Sequence, residues 1–318
     1  MPLKALYIKA AVFGMAALFF LSCSKEKLSD RAAVKMREFV EDISSYAKKY
    51  NPHFIVIPQN GPELAFKDLS PDEGIDNSYL NAIDGFGIEE LFYNGTYAPD
   101  NDRINMLQTL GRYKPVFVSE YVKDSSQISV AYQKNEEQGF ICFVRGSQNY
   151  YYTEIPDSVH NINPDNVYSL NDVTNYLYLI NYDNFATKRQ LLDTLKKYDF
   201  DLIIMDLFFN ETPFTYAEIN ELKYKTNGAR RLVISYINIG AAEKYRYYWQ
   251  DDWRLHHPSW LKKPYEGYDD EIWVKFWKKD WQEIIYGNND SYIKKIIDAG
   301  FDGAYLDNVE AYYFLYFD

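Results

Sequence analysis

Carboxylates recur at one kind of place in this chain, the C-terminal end of a short apolar run. Glu89 and Glu90 close AIDGFGIEE, and Glu120 closes PVFVSE. Asp183 follows YLYLIN, and Asp206 lies in DLIIMDL. Glu243 follows VISYINIG, and Asp307 with Asn308 ends GAYLDN. Gln59 and Asn60 follow HFIVIP in the same way, and Lys275 sits in IWVKF. A single polar residue at such a position is an ordinary cap or loop group. Repetition over most of the strands is harder to explain that way. In a (β/α)8 barrel all strand ends share one rim, so residues distant in sequence converge there.

Paired carboxyls with aromatic neighbours suit glycoside hydrolysis. One carboxyl protonates the leaving oxygen, and the other attacks the sugar or activates water. Their separation, roughly 5–5.5 Å or 6.5–9.5 Å, decides retention or inversion. The chain carries 31 Tyr, 20 Phe and 6 Trp, whose flat faces with polar handles suit sugar rings as well as ordinary packing. Metal ligation is the rival use. Asp206, Glu243 and Asp307 on neighbouring strands could hold Mg²⁺ as in a barrel lyase, but no matching lysine base or capping domain accompanies them. The histidines, His53, His160, His256 and His257, have no zinc spacing. No G-x-S-x-G or Cys/His pair argues for acyl transfer. The reading calls for neither cofactor nor metal.

The elements that must position these groups alternate strand and helix. Residues 31–50 have Ala33, Met36, Phe39, Val40 and Ile43 at helical spacing, with Asn51–Pro52 as the stop. Strands are expected at 53–58, 81–90, 115–120, 140–144, 176–181, 201–207, 231–240, 272–276 and 303–306. Helices are expected at 100–112, 125–138, 186–198, 215–225 and 279–296. Apolar strands without alternation are buried on both faces, as in a parallel sheet under helices. One strand exceeds a closed barrel's need, so either 140–144 or 272–276 is short or lies outside it. The competing open doubly wound sheet finds no G-x-G-x-x-G and no phosphate loop to support it. Residues 146–172, polar and aromatic, form the best linker, and 241–270 a Trp- and Tyr-rich excursion.

At 318 residues the chain is long enough for one large domain. Its net charge of −12 argues against a nucleic-acid partner, because phosphate binding needs a basic surface. Lys4 and Lys9 precede the apolar run Ala10–Leu21, too short for a membrane span and fitting a signal peptide. The run ends in FLSC, where Cys23 would be cleaved and lipidated. The expected organisation is therefore a leader over 1–22, a tether over 23–30 and a single barrel over 31–318. The expected location is the bacterial cell envelope, periplasmic or outer surface. The protein is expected to be a monomer that meets the membrane only through its lipid. Cys142, inside an apolar strand, is expected as a buried thiol.

The stretches NPHFIVIPQNG, AIDGFGIEELFYNG, PVFVSEY, DLIIMDLFF, VISYINIGAAEKYRYYW and GFDGAYLDNVEAY resemble the endo-α-1,4-polygalactosaminidase-like family, glycoside hydrolase family 114 and its bacterial and archaeal extracellular relatives. They span most of residues 30–313, and the last two are the specific ones. The resemblance implies a TIM barrel that hydrolyses α-1,4-linked galactosamine-rich polysaccharide without a cofactor. It also implies a catalytic pair, falling on Asp307 as nucleophile or base and on Glu89 as general acid, with Glu90 the alternative register. Substrate contacts would come from Asp206, Glu243, Asn308, Gln59, Asn60, Glu90, Glu120, Asp183 and Lys275. The order departs from the relatives, in which the VISYINIG and LDNVEAY strands come before IPQNG and GIEELFY. The chain therefore resembles a circular permutant, with 146–172 joining the old ends and helix 31–50 serving the strand at 303–306. A surface lipoprotein that binds glycan without cleaving it is the alternative function. Retention of both Glu89 and Asp307 favours the enzyme.

Overall fold

The computed structural model describes residues 3–146 and 151–317, and for residues 3–23 the backbone alone. Eight strands run parallel: β1 (Ile55–Pro58), β2 (Phe86–Tyr97), β3 (Val116–Val122), β4 (Ile141–Arg145), β5 (Tyr176–Leu179), β6 (Leu202–Asp206), β7 (Leu232–Asn238) and β8 (Gly303–Asp307). They form one sheet in the order β1-β8-β7-β6-β5 and another in the order β2-β3-β4. At one seam, Gln59 just past β1 bridges Gly87 of β2 in parallel. The Asn60 N–H donates to the Gly87 carbonyl at 2.7 Å. At the other seam β4 and β5 touch, with the Phe143 and Tyr176 rings 5.7 Å apart. No ladder joins these two strands among the described residues. β1, β5, β6 and β7 are buried along their whole length. This is what continuous apolar runs under helices require.

The helices are α1 (Leu3–Tyr50), α2 (Asn77–Ala82), α3 (Asn101–Leu110), α4 (Ile128–Glu136), α5 (Lys188–Leu195), α6 (Tyr216–Leu222), α7 (Lys279–Ile285), α8 (Tyr292–Asp298) and the short α9 (Ala311–Phe314). The stripe read from the sequence is the buried one: Ala33, Met36, Phe39, Val40 and Ile43 are fully covered. α1 packs against α2, α8 and α9. It therefore lies between the helix that precedes β8 and the helix that follows β1. Phe39 stacks on Phe276 at 6.2 Å, and the Arg37 Nε donates to the Leu64 carbonyl at 2.7 Å.

Four expectations change. The run 81–90 is not one strand. Residues Asn77–Ala82 are helical because the Asp76 carboxylate caps them, accepting from the Ser78 and Tyr79 N–H groups at 3.1 Å. The strand begins at Phe86. Residues 272–276 do not join the parallel strands. Glu271–Val274 pairs antiparallel with Ala241–Glu243 and Leu261–Pro264, which removes the surplus strand. The helix expected over 279–296 is two, separated by a stretch with Gly287 at φ 104°. Residues 24–30, expected as a short polar tether, are helical and continuous with 31–50, and the Ser29 Oγ donates to the Tyr312 carbonyl at 3.2 Å. The leader and the Cys23 lipidation site fall on side chains outside the described residues. Among the residues whose side chains are described, no helix is long and apolar enough to cross a membrane.

Of the connection from 146 to 172, the described residues 151–172 are anchored just before β6. The Lys225 ammonium is fully buried. It donates to the Asn163 and Asp165 carbonyls at 2.7 and 2.8 Å and to the Asp201 carboxylate at 2.6 Å.

Candidate active site

The tips of β1, β2, β5, β6, β7 and β8 open onto a cleft of about 850 Å³. Asp307 ends β8 and Glu89 lies in β2; both line it. The parallel register carries Asp307 beside Asn238 of β7, and among the described residues β1 alone lies between β8 and the β2 seam. The Tyr236 hydroxyl donates to Asp307 Oδ2 at 2.6 Å, and the Asn308 N–H to Oδ1 at 2.7 Å. Glu89 receives the hydroxyl of Tyr152, and its own N–H donates to the Asn60 side-chain oxygen at 3.1 Å. Arg103 holds the turn from outside, donating to the Glu89 and Glu90 carbonyls at 3.0 Å. Asn60, Glu90 and Asn308 all have positive φ, at 61°, 54° and 60°. Asn enters this region readily, whereas Glu does so rarely. Here the left-handed turn rotates Glu90 away from the cleft after Glu89 has entered it.

Burial, and after it the charge of Glu89, push the Asp307 pKa up to about 7, partly offset by the Tyr236 and Asn308 hydrogen bonds to its charged form. Glu310, also in the cleft, is pushed up to about 8 by burial and by Glu63. Glu271 is pushed up to about 9 by burial and by the charges of Glu243 and Asp307. A shared, poorly solvated set of carboxyls thus holds protons near neutral pH. General acid–base chemistry needs such groups, and buried carboxyl clusters produce them.

Gln59, Asn60, Asp183, Asp206, Glu243 and Asn308 all line the cleft, together with Glu89 and Asp307. Three other rim expectations fall elsewhere. Glu120 is fully buried and accepts from the Phe92 and Tyr93 N–H groups and the Asn135 amide, each at 3.0 Å. Its carboxylate is spent fastening β2 to β3 and α4. Glu90 pairs with Arg145 at 2.9 Å, behind the cleft wall. Lys275 follows the antiparallel strand, outside the cleft lining, and donates to the Ser259 carbonyl at 3.1 Å. Asp206 and Glu243 are brought together by Arg246, which meets Asp206 through two nitrogens at 2.9 and 2.7 Å and Glu243 at 2.7 Å. The guanidinium occupies the space between two of the three carboxylates that the metal reading required.

Sequence reasoning missed Arg246, Glu271 and the tyrosines at 152, 178, 236 and 265. Tyr236 had a legible signal, since its position in VISYIN is two residues before the polar strand end and so on the same face as Asn238. Tyr152 had none, because it comes from an irregular segment.

Comparison with known proteins reaches part of this chain. The family model described as glycoside-hydrolase family GH114 matches residues 178–315, and the resemblance drawn from the motifs is borne out over that stretch. An uncharacterized protein of Methanocaldococcus jannaschii is 33% identical over 155 residues, 46% of this chain and 42% of that protein. Uncharacterized proteins of Thermotoga maritima and Deinococcus radiodurans are 29% and 34% identical over 133 and 114 residues. These cover 41% and 36% of this chain. The match spans 40% and 34% of those two relatives, so this chain covers about two fifths of their length or less.

Proposed function

We propose that the protein is an endo-acting glycosidase of the cell envelope that cleaves a galactosamine-rich polysaccharide. In this reading it is a single circularly permuted (β/α)8 barrel over residues 31–318, lipid-anchored at Cys23 after removal of residues 1–22, and monomeric. The observation that carries the reading is the convergence of Glu89 and Asp307 in one cleft, from strands more than two hundred residues apart. Glu89 gives its proton to the glycosidic oxygen, and Asp307 attacks the sugar or activates water. Tyr236 and the Asn308 N–H hold the Asp307 carboxyl in one orientation. The cleft lining favours an amine-bearing glycan. It carries ten carboxyl groups against Arg246, which is already paired, among its described residues, and of the ten Asp307, Glu310 and Glu271 are kept by burial from full charge at neutral pH. A field of one sign concentrates the opposite charge. Asp206, Glu243, Asn308, Gln59, Asn60 and Asp183 would contact the sugars.

The permutation is supported by the position of α1 between α2 and α8, and by β1 lying directly against β8. The relatives match in one block of 114 to 155 residues. A collinear alignment can capture only one of two exchanged segments. The test of function is release of reducing ends from a panel of polysaccharides, de-N-acetylated galactosaminogalactan first. Cleavage lost in both E89Q and D307N sustains the reading, and binding without any product favours the lectin-like alternative. The raised Asp307 pKa favours a second assignment, in which Asp307 donates the proton. An aryl glycoside whose leaving group needs no protonation distinguishes the two. E89Q should still turn it over and D307N should not; the opposite result exchanges the roles.

A further inference from the structure

We infer that Tyr152 is a positioning residue for Glu89, so that the connection between β4 and β5 is part of the active site and not a passive linker. The inference rests on the reading of Glu89 as a working carboxyl of the cleft. Tyr152 is buried, at 4% exposure, and its hydroxyl donates to Glu89 Oε1. Its ring stacks on Tyr178 with centroids 3.9 Å apart and 29° between planes. The Arg145 guanidinium covers the ring at 4.5 Å from its centroid. Its carbonyl accepts from the Ile180 and Asn181 N–H groups at 3.2 and 3.3 Å, which ties it to the end of β5. The residue is thus fixed through its hydroxyl, its ring and its backbone.

The backbone supplies an independent sign. Tyr152 has φ 39°, in the left-handed region that a bulky side chain rarely enters. Such strain persists where the surroundings over-determine it, and it gathers at functional sites. What is obtained here is a hydroxyl delivered to one oxygen of one carboxyl. Burial, and then the charge of Glu89, hold the phenol's pKa well above its ordinary value, so the hydroxyl remains a donor throughout the working pH range. A donor fixed at Oε1 makes that oxygen the acceptor, so that proton exchange with the substrate falls to Oε2. Proton transfer then takes place on a defined side of the carboxyl. Asp307, Glu310 and Glu90 are the acidic groups around Glu89, Arg145 adds positive charge, and Tyr178, Tyr265 and Tyr305 are the other phenols whose pKa the Glu89 charge raises.

Y152F removes the hydroxyl and keeps the stacked ring. Y151F is the control, because Tyr151 also lines the cleft but is 59% exposed. Two readouts on the purified protein are paired. The first is steady-state hydrolysis of the polysaccharide. Y152F should lose about tenfold or more in kcat, part of the 10²–10⁴ that general acid–base catalysis supplies, with KM within about twofold. The second is the ¹³C resonance of the Glu89 δ-carboxyl in glutamate-labelled protein at fixed pH, identified by its disappearance in E89Q. It should move in Y152F and stay in place in Y151F. If the wild type hydrolyses the polymer and Y152F keeps its kcat, the inference fails and the hydrolase reading stands. If no polymer is cleaved but the resonance moves, the hydrolase reading fails and the positioning of Glu89 stands. An unmoved resonance in Y152F overturns the inference whatever the activity.

Discussion

Replacing Asp307 by its amide should inactivate the protein and stabilise it, and the stabilisation should depend on pH in a defined direction. The Asp307 pKa stands at about 7 in the fold against an ordinary value of 3.8, because burial and the neighbouring Glu89 charge disfavour its anion. Between about pH 4 and pH 7 the folded protein holds a proton that the unfolded chain has released. The resulting penalty on folding is absent below pH 4 and complete above pH 7. At about 1.4 kcal/mol per pH unit it reaches about 4 kcal/mol. The amide escapes this penalty but accepts the Tyr236 and Asn308 hydrogen bonds less strongly, which takes back about 1–2 kcal/mol. A net gain of about 2–3 kcal/mol at pH 8 corresponds to a melting temperature raised by about 5–10 °C. At pH 5 most of it should be gone. Differential scanning fluorimetry of the wild type and D307N across pH 5–8, in buffers of matched ionic strength, reads this directly. A gain equal at both ends of the range, or one that grows toward acid, would refute the claim that Asp307 is held protonated by its surroundings.

Three further outcomes follow from particular contacts. Lys225→Met strands the Asp201 carboxylate in a fully buried site and should cost about 3–5 kcal/mol, read as a lower urea midpoint with an unchanged slope. Glu120→Gln turns an amide toward the Phe92 and Tyr93 N–H donors and should cost about 1–3 kcal/mol. The kcat of its folded fraction should be unchanged, and a large loss in kcat would return Glu120 to the site. Gly240→Ala would bring a Cβ to 2.0 Å from the Asn308 carbonyl. It should displace the turn that carries Asp307 and lower kcat by about tenfold or more, since misplacement by about 1 Å can cost 10²-fold.

The chain itself determined its strands and much of its rim. Runs such as LIIM and LVISYI read as doubly buried strands, because most of their side chains are apolar and show no alternation. A polar residue at their C-terminal end is carried toward the shared rim. That local logic located Asp307, Glu89, Asp206 and Glu243 without any knowledge of pairing, and the stripe on α1 followed from helical period alone. It failed wherever the outcome depended on a distant partner. Glu120 reads like Glu89, yet the fold places two free N–H groups and an amide against its carboxylate, and it becomes structural. IWVKF reads like a parallel strand, yet the strand at 261–264 lies beside it and turns it into an antiparallel sheet, taking Lys275 from the rim. Arg246 gathers Asp206 and Glu243 across forty residues, a pairing no spacing encodes. Tyr152 acts from irregular chain, where periodicity carries no signal. Apolar pattern is a property of neighbours in sequence, and burial enforces it locally. Which carboxyl is anchored, which is paired and which stays available to react is set by what lies across the cleft, and only the assembled strands decide that.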